Sequence, residues 1–264
     1  MTATGAAVGR IRPAPGTVAG FSAAPGQALI KEEFRTLIWS EPLSDGGRAV
    51  IKMYRQQPFY DPARRWFIGH RGDREYRVLS HLTRHGVPCP EPLWWSSGHD
   101  ARHGRYDLLA TREIEGAIPL DRLLRETGTV PELAPLLRLA RRMHDSGVAH
   151  GAFVPRNVLV SLAAGGPPAF HVIDTVRSHI MPGSIAGSRM ASFDLLDLLH
   201  AASAHFPQAR AAGWLADYGL GEADVRRLMD QLARHRPGRP WRHLRRAERD
   251  ARALLMSASI RSRS

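Results

Sequence analysis

Lysine is nearly absent from this chain. Of 37 basic residues among 264, only Lys31 and Lys52 are lysines; all the others are arginines. Either side chain serves a generally basic surface, so this preference reads as compositional bias. A lysine retained against it is worth a closer look. Cysteine is scarcer still: the single Cys89 excludes an internal disulfide framework and any multi-cysteine metal site. No apolar run reaches the roughly 18 residues that a membrane-spanning helix needs. The first 28 residues lack the apolar stretch of a secretory signal, so the expected compartment is a reducing cytoplasm. The absence of a Gly-x-Ser-x-Gly elbow counts against a serine hydrolase.

What is present is charge, unevenly spread. The formal net charge is +12. Between Arg234 and Arg263 ten arginines face only Glu248 and Asp250, so that stretch carries +8. Trp241, Leu244, Ala251, Leu254 and Leu255 fall roughly on one helical face there, with arginines around them. The pattern is a basic amphipathic helix of the kind that lies on an anionic membrane surface, or else a terminal helix with a solvated basic face. No nucleic-acid reader motif accompanies the charge, so nucleic acid is not the expected partner.

Along the chain, residues 1–27 are Ala/Gly/Pro-rich without a period and read as a disordered arm. From Ala28 the pattern turns β-like. Thr36–Ser40 and Arg48–Tyr54 read as strands around the Asp45-Gly46 turn. A helix is expected over Asp73–His85, with Tyr76, Leu79 and Leu82 on one face and a stop at Gly86, Pro88 and Pro90. Tyr106–Ile114 reads as a strand, and Trp94-Trp95 as packing within the strand-rich part. Beyond Gly116 the chain becomes helical. A helix over Pro131–Asp145 leads to a hairpin of Asn157–Val160 with Phe170–Asp174, then to helices over 190–204, 208–218, 222–235 and 241–256. The expectation is an α+β chain of two lobes. Residues 28–115 form a small strand-rich one, 116–235 a helix-rich one, and 236–264 a basic tail.

Four pieces carry chemistry. Lys52 ends the apolar run Ala49-Val50-Ile51, so a rigid strand holds its ammonium where it can meet a nucleotide phosphate. Glu75, in the first turn of the next helix, is the candidate carboxylate to hold that ammonium. Asn157 lies in the loop His150-Gly151-Ala152-Phe153-Val154-Pro155-Arg156-Asn157 and offers a neutral oxygen suited to Mg²⁺. Asp174 ends the strand Val172-Ile173 and offers an anionic one. Each piece alone has a plain reading: a strand end, a helix first-turn acid, a turn residue, a cap.

In this order the four resemble the protein-kinase signature set, over roughly residues 28–205. More narrowly the chain resembles the lipopolysaccharide core (Kdo/heptose) kinase family. The supporting stretches are Arg74–Leu79, Gly86–Leu93, Met143–Gly151, Ile173–Arg177 and Asp194–Leu199. The resemblance implies a bilobal protein-kinase-like fold and an ATP- and Mg²⁺-dependent kinase. Its acceptor would be a sugar hydroxyl of the anionic lipopolysaccharide core at the cytoplasmic face of the inner membrane. Lys52 would contact the α/β-phosphates and pair with Glu75, and Asn157 and Asp174 would hold Mg²⁺. The backbone of Glu113, Ile114 and Glu115 would face the adenine, while His150 and Asp194 would buttress the loop.

Two departures stand out. The catalytic aspartate of the kinase pattern, two residues after the loop histidine, is here Ala152, whose methyl group accepts no proton. A positioned base is commonly worth about 10²–10⁴-fold in rate, so a pseudokinase acting as nucleotide-binding scaffold or sensor is the alternative. The glycine-rich loop is also missing: Lys31–Thr36 reads Lys-Glu-Glu-Phe-Arg-Thr.

Overall fold

The computed structural model describes residues 26–33, 35–55, 70–101, 103–128, 132–162, 166–206 and 208–235. Nearly all of the expected N-terminal arm, the whole basic segment 236–264 and the expected helix 241–256 lie outside them. The chain divides into two compact units. The first runs to Glu115 and takes back Asp174–Val176; the second comprises Gly116–Ile173 and the chain from Arg177 onward.

The first unit is built on five antiparallel strands: β1 (Ala28–Glu33), β2 (Thr36–Pro42), β3 (Arg48–Arg55), β4 (Pro92–Asp100) and β5 (Gly104–Arg112). Their order across the sheet is β1-β2-β3-β5-β4. Alternation decides what each face of β3 does. Ala49, Ile51 and Met53 point into a core shared with Leu37, Trp39, Tyr106, Leu108 and Ala110. Lys52 and Tyr54 share the opposite face, two residues apart.

Helix α1 (Arg71–Arg84) packs on β4 and β5. Its buried residues Glu75, Val78, Leu79 and Leu82 follow helical spacing. Gly72 permits the close approach: a Cβ there would lie 2.9 Å from the Leu108 carbonyl oxygen. The helix begins two residues before the expected Asp73 because Asp107 of β5 caps it, accepting the Arg71 N–H at 2.8 Å and lying 2.7 Å from Nδ1 of His70. Gly86, at φ 65°, ends it with a Val87 N–H to Leu82 carbonyl bond of 3.0 Å.

Strand β4 has no counterpart in the sequence reading. Pro92, Ser96, Ser97 and Gly98 are poor strand formers, but β4 is an edge strand, where an initial proline costs no ladder bond. Gly98 is required there, since a Cβ would meet the Tyr106 ring at 2.6 Å. Trp94 packs against the sheet core, and Trp95 lies 5.7 Å from the His70 ring.

The second unit holds a small sheet of β6 (Ile118–Pro119), β8 (Val158–Ser161) and β9 (Ala169–Val172) in the order β6-β8-β9. A two-stranded ribbon pairs β7 (Val148–Ala149) with β10 (His179–Ile180). Its helices are α2 (Leu120–Thr127), α3 (Ala134–Asp145), α4 (Arg189–Ala202), α5 (Gln208–Tyr218) and α6 (Glu222–Leu232). Helix α3 buries Leu136, Leu137, Leu139, Ala140, Met143 and His144 and packs against α5. It starts at Ala134, whose N–H is capped by Glu132 Oε1 at 3.1 Å; the same oxygen accepts from Trp214 Nε1 at 2.9 Å. Among the described residues no helix is long and apolar enough to cross a membrane.

Candidate active site

In the first unit three of the predicted residues converge. Lys52 Nζ lies 3.4 Å from both carboxylate oxygens of Glu75 and 2.5 Å from Asp174 Oδ1. Glu75 is almost fully buried, whereas the Asp174 side chain is 40% exposed, so the carboxylates differ in what they can do. A buried carboxylate needs several donors. Glu75 finds them in Lys52, in the Thr175 backbone N–H at 3.2 Å, and in the Tyr54 hydroxyl, which donates to Oε2. Asp174 reaches Lys52 from a left-handed backbone, φ 57°, the one such non-glycine among the described residues. Aspartate tolerates this region better than most side chains, and strain of this kind clusters at functional sites.

Burial works against the charged form of Lys52, but the neighbouring charges of Glu75 and Asp174 outweigh it and hold the ammonium well above the ordinary lysine range. The Tyr54 phenol is pushed well above its ordinary value by burial and then by the Glu75 charge. Tyr54 was not singled out from the sequence, although strand alternation from Lys52 places it on the same face. Its ring also lies 5.1 Å below the Lys52 ammonium.

Both shifts are upward in the folded state, so each group's contribution is fully present below its unfolded value. It is lost as pH rises from there through the folded value. The share of stability to urea that these two groups supply is therefore expected to stay level to about pH 10 and fall beyond it. Tyr54→Phe should cost about 1–3 kcal/mol at neutral pH, the scale of a buried hydrogen bond to a charged group, with a shallower alkaline fall. An alkaline limb identical to wild type would contradict this.

In the second unit the loop His150–Asn157 is fixed from several sides. Asp194 of α4 accepts the His150 N–H at 2.7 Å and the Gly151 N–H at 2.8 Å, the brace that the resemblance implies. His150 Nε2 donates to the Ile173 carbonyl at 2.9 Å, and Ser178 Oγ donates to the His150 carbonyl at 3.1 Å. Asn157 Nδ2 donates to the Ala152 carbonyl at 2.8 Å, which directs the amide so that its oxygen is the other end. The Asn157 carbonyl accepts the Ile173 N–H at 3.0 Å, continuing the β8–β9 ladder in which Val158 faces Val172. The ladder sets Ile173, the residue before Asp174, beside Asn157.

The segment after β5 is tied down at its start. Glu113 donates its N–H to the Arg48 carbonyl at 2.8 Å and accepts from Arg48 Nε at 3.2 Å. A backbone donor toward a purine would have to come from Ile114 or Glu115. Lys31 lies in β1 and pairs with Glu33 at 2.7 Å on an exposed surface.

As donors, the residues suit a magnesium nucleotide. Asp174 supplies a hard anionic oxygen and Asn157 a hard neutral one. Lys52 is a cation on a rigid strand, held charged by Glu75 and Asp174.

The comparisons with known proteins agree with this reading of the fold. The model of the Lipopolysaccharide kinase (Kdo/WaaP) family matches residues 21–231. No curated protein matches the sequence. Among solved structures, one described as WaaP in complex with acyl carrier protein is 19% identical with a TM-score of 0.54, covering 88% of this chain and 90% of that one. A Rio2 kinase from Chaetomium thermophilum, in an ADP/Mg²⁺-phosphoaspartate complex, is 18% identical with a TM-score of 0.49, covering 78% and 69%. The fold is thus α+β and similar to that of WaaP, and the chain belongs to the lipopolysaccharide kinase (Kdo/WaaP) family.

Proposed function

We propose that this protein is an ATP- and Mg²⁺-dependent kinase that phosphorylates a sugar hydroxyl of the lipopolysaccharide core. The observation that carries the reading is the convergence of Glu75 and Asp174 on Lys52, the chain's one lysine in a buried setting. Lys52, oriented by Glu75, binds the α/β-phosphates, and Asn157 and Asp174 hold the metal, which supplies charge neutralisation at the phosphates. Ile114 and Glu115 offer backbone to the adenine, with Glu113 anchoring that segment through Arg48. The acceptor hydroxyl oxygen bonds to the γ-phosphorus, the bond to the bridging oxygen breaks, and ADP leaves. Ala152 takes no proton, so the hydroxyl proton leaves to solvent or to the anionic acceptor itself. Transfer of labelled γ-phosphate to core lipopolysaccharide, wild type against Asp174→Ala, tests the reading. A wild-type signal no higher than that of the variant would overturn it.

Ala152 favours a second reading, a nucleotide-binding pseudokinase acting as scaffold or sensor. Tight Mg-ATP binding without transfer in the same assay would select it. We further propose that the protein works on the cytoplasmic face of the inner membrane, with the basic segment 236–264 contacting anionic lipid. Cosedimentation with anionic vesicles is expected for the full chain and not for a chain ending at residue 235; equal binding would refute the contact.

A further inference from the structure

The brace on the loop has a further tier. Asp194 is 2% exposed, and its carboxylate takes a third donor beyond the two loop amides: His144 Nε2 of α3 lies 3.2 Å from Oδ2. A carboxylate only accepts, so Nε2 of His144 donates to it, and Nδ1 is left facing the interior of the protein with need of its own partner. The Tyr218 hydroxyl, at the end of α5, meets it at 2.8 Å. Tyr218 is itself 1% exposed and held from the other side by Arg141. The Arg141 guanidinium lies 5.7 Å from the ring centroid, and its Nη1 donates to the Tyr218 carbonyl at 3.4 Å. Burial keeps the phenol far above its ordinary value, so the hydroxyl stays protonated at working pH. The chain of contacts therefore runs from Tyr218 through His144 to Asp194, and Asp194 receives the His150 and Gly151 amides.

We propose that Tyr218 and His144 are positioning residues, which set the Asp194 carboxylate and through it the loop His150–Asn157. Their effect on phosphoryl transfer rests on the kinase reading above; their effect on the loop does not. Without the phenol Nδ1 of the imidazole loses the partner that meets it and is left buried and unmatched. Asp194 then loses the contact that fixes its rotation, and the two loop amides lose a well-aimed acceptor. A residue that merely fills the α3–α5 interface would act differently, loosening the helices around it rather than the loop.

Amide hydrogen exchange on the full chain separates the two. Tyr218→Phe and His144→Ala should speed exchange in the segment 148–157 roughly tenfold, the scale of one lost net hydrogen bond, with α5 and the first unit unchanged. His144→Gln should restore most of the protection, because its amide can donate to Asp194 and accept from Tyr218. In the transfer assay Tyr218→Phe should lower kcat and leave the KM for Mg-ATP alone. Wild-type exchange in 148–157 in both variants, or acceleration spread evenly over α3, α5 and the loop, would overturn the proposal. If exchange responds as stated while no protein shows transfer, the positioning stands and the kinase reading falls.

Discussion

Asp174→Ala is expected to lower phosphate transfer by about 10²–10³-fold, equivalent to roughly 3–4 kcal/mol of lost transition-state stabilisation. Its carboxylate is the more exposed of the two that meet Lys52, and the one suited to reach a metal outside the protein's interior. Glu75 cannot stand in, because its oxygens are engaged by Lys52, Tyr54 and the Thr175 N–H. The substitution should leave the fold intact. A partly exposed ion pair contributes little to stability, and Lys52 keeps Glu75. The left-handed backbone at Asp174 is a separate cost for alanine, of about 1 kcal/mol. Asp174→Asn, which tolerates that backbone, is therefore the cleaner variant. It should melt close to wild type and still lose most of the transfer. Wild-type transfer by Asp174→Asn would remove the metal role from this residue.

The cluster around Lys52 is partly legible in the sequence. Lysine scarcity and the Ala-Val-Ile-Lys strand pointed to Lys52, and order along the chain pointed to Glu75 and Asp174. What could not be read is how the three meet. The positive φ at Asp174 is a tertiary outcome in a residue type that seldom adopts it, and Asp174–Val176 group with the first unit despite their place in the sequence. Tyr54 was within reach, since period-two alternation is a local rule. Tyr218 was not: it meets His144 across 74 positions, and no spacing rule connects them. In the fold, strands with clean alternation and the helix closed by Gly86 were visible. Strand β4 was hidden because Pro92, Ser96, Ser97 and Gly98, which flank its two tryptophans, have low strand propensity, and pairing with β5 holds them in the sheet. The start of α1 was displaced because its cap is a side chain from another strand, Asp107, rather than a neighbour in sequence.

Ala152→Asp is the second large effect, and here the expected change is a gain. The loop backbone that would carry the new carboxylate is already fixed. Asp194 holds the amides of His150 and Gly151, Gly151 adopts φ 70°, and Asn157 Nδ2 holds the Ala152 carbonyl. Ala152 is half-buried, so one added carboxylate can reach solvent and need not be left as a buried charge. If proton removal limits the native protein, transfer should rise by about 10²–10⁴-fold, with Mg-ATP affinity unchanged. The sign of the pH dependence is a second check. The base works only when ionised, so the variant's rate should climb as pH rises through the carboxylate range and then level off. The wild type should show a single limb there, from Asp174, and the variant a steeper one. Transfer unchanged in rate and pH profile would mean that the proton leaves without help from this position, by way of solvent or an acceptor phosphate. Transfer present only in Ala152→Asp would assign the native chain to the nucleotide-binding, non-transferring class, with an otherwise intact site around Lys52 and Asp174.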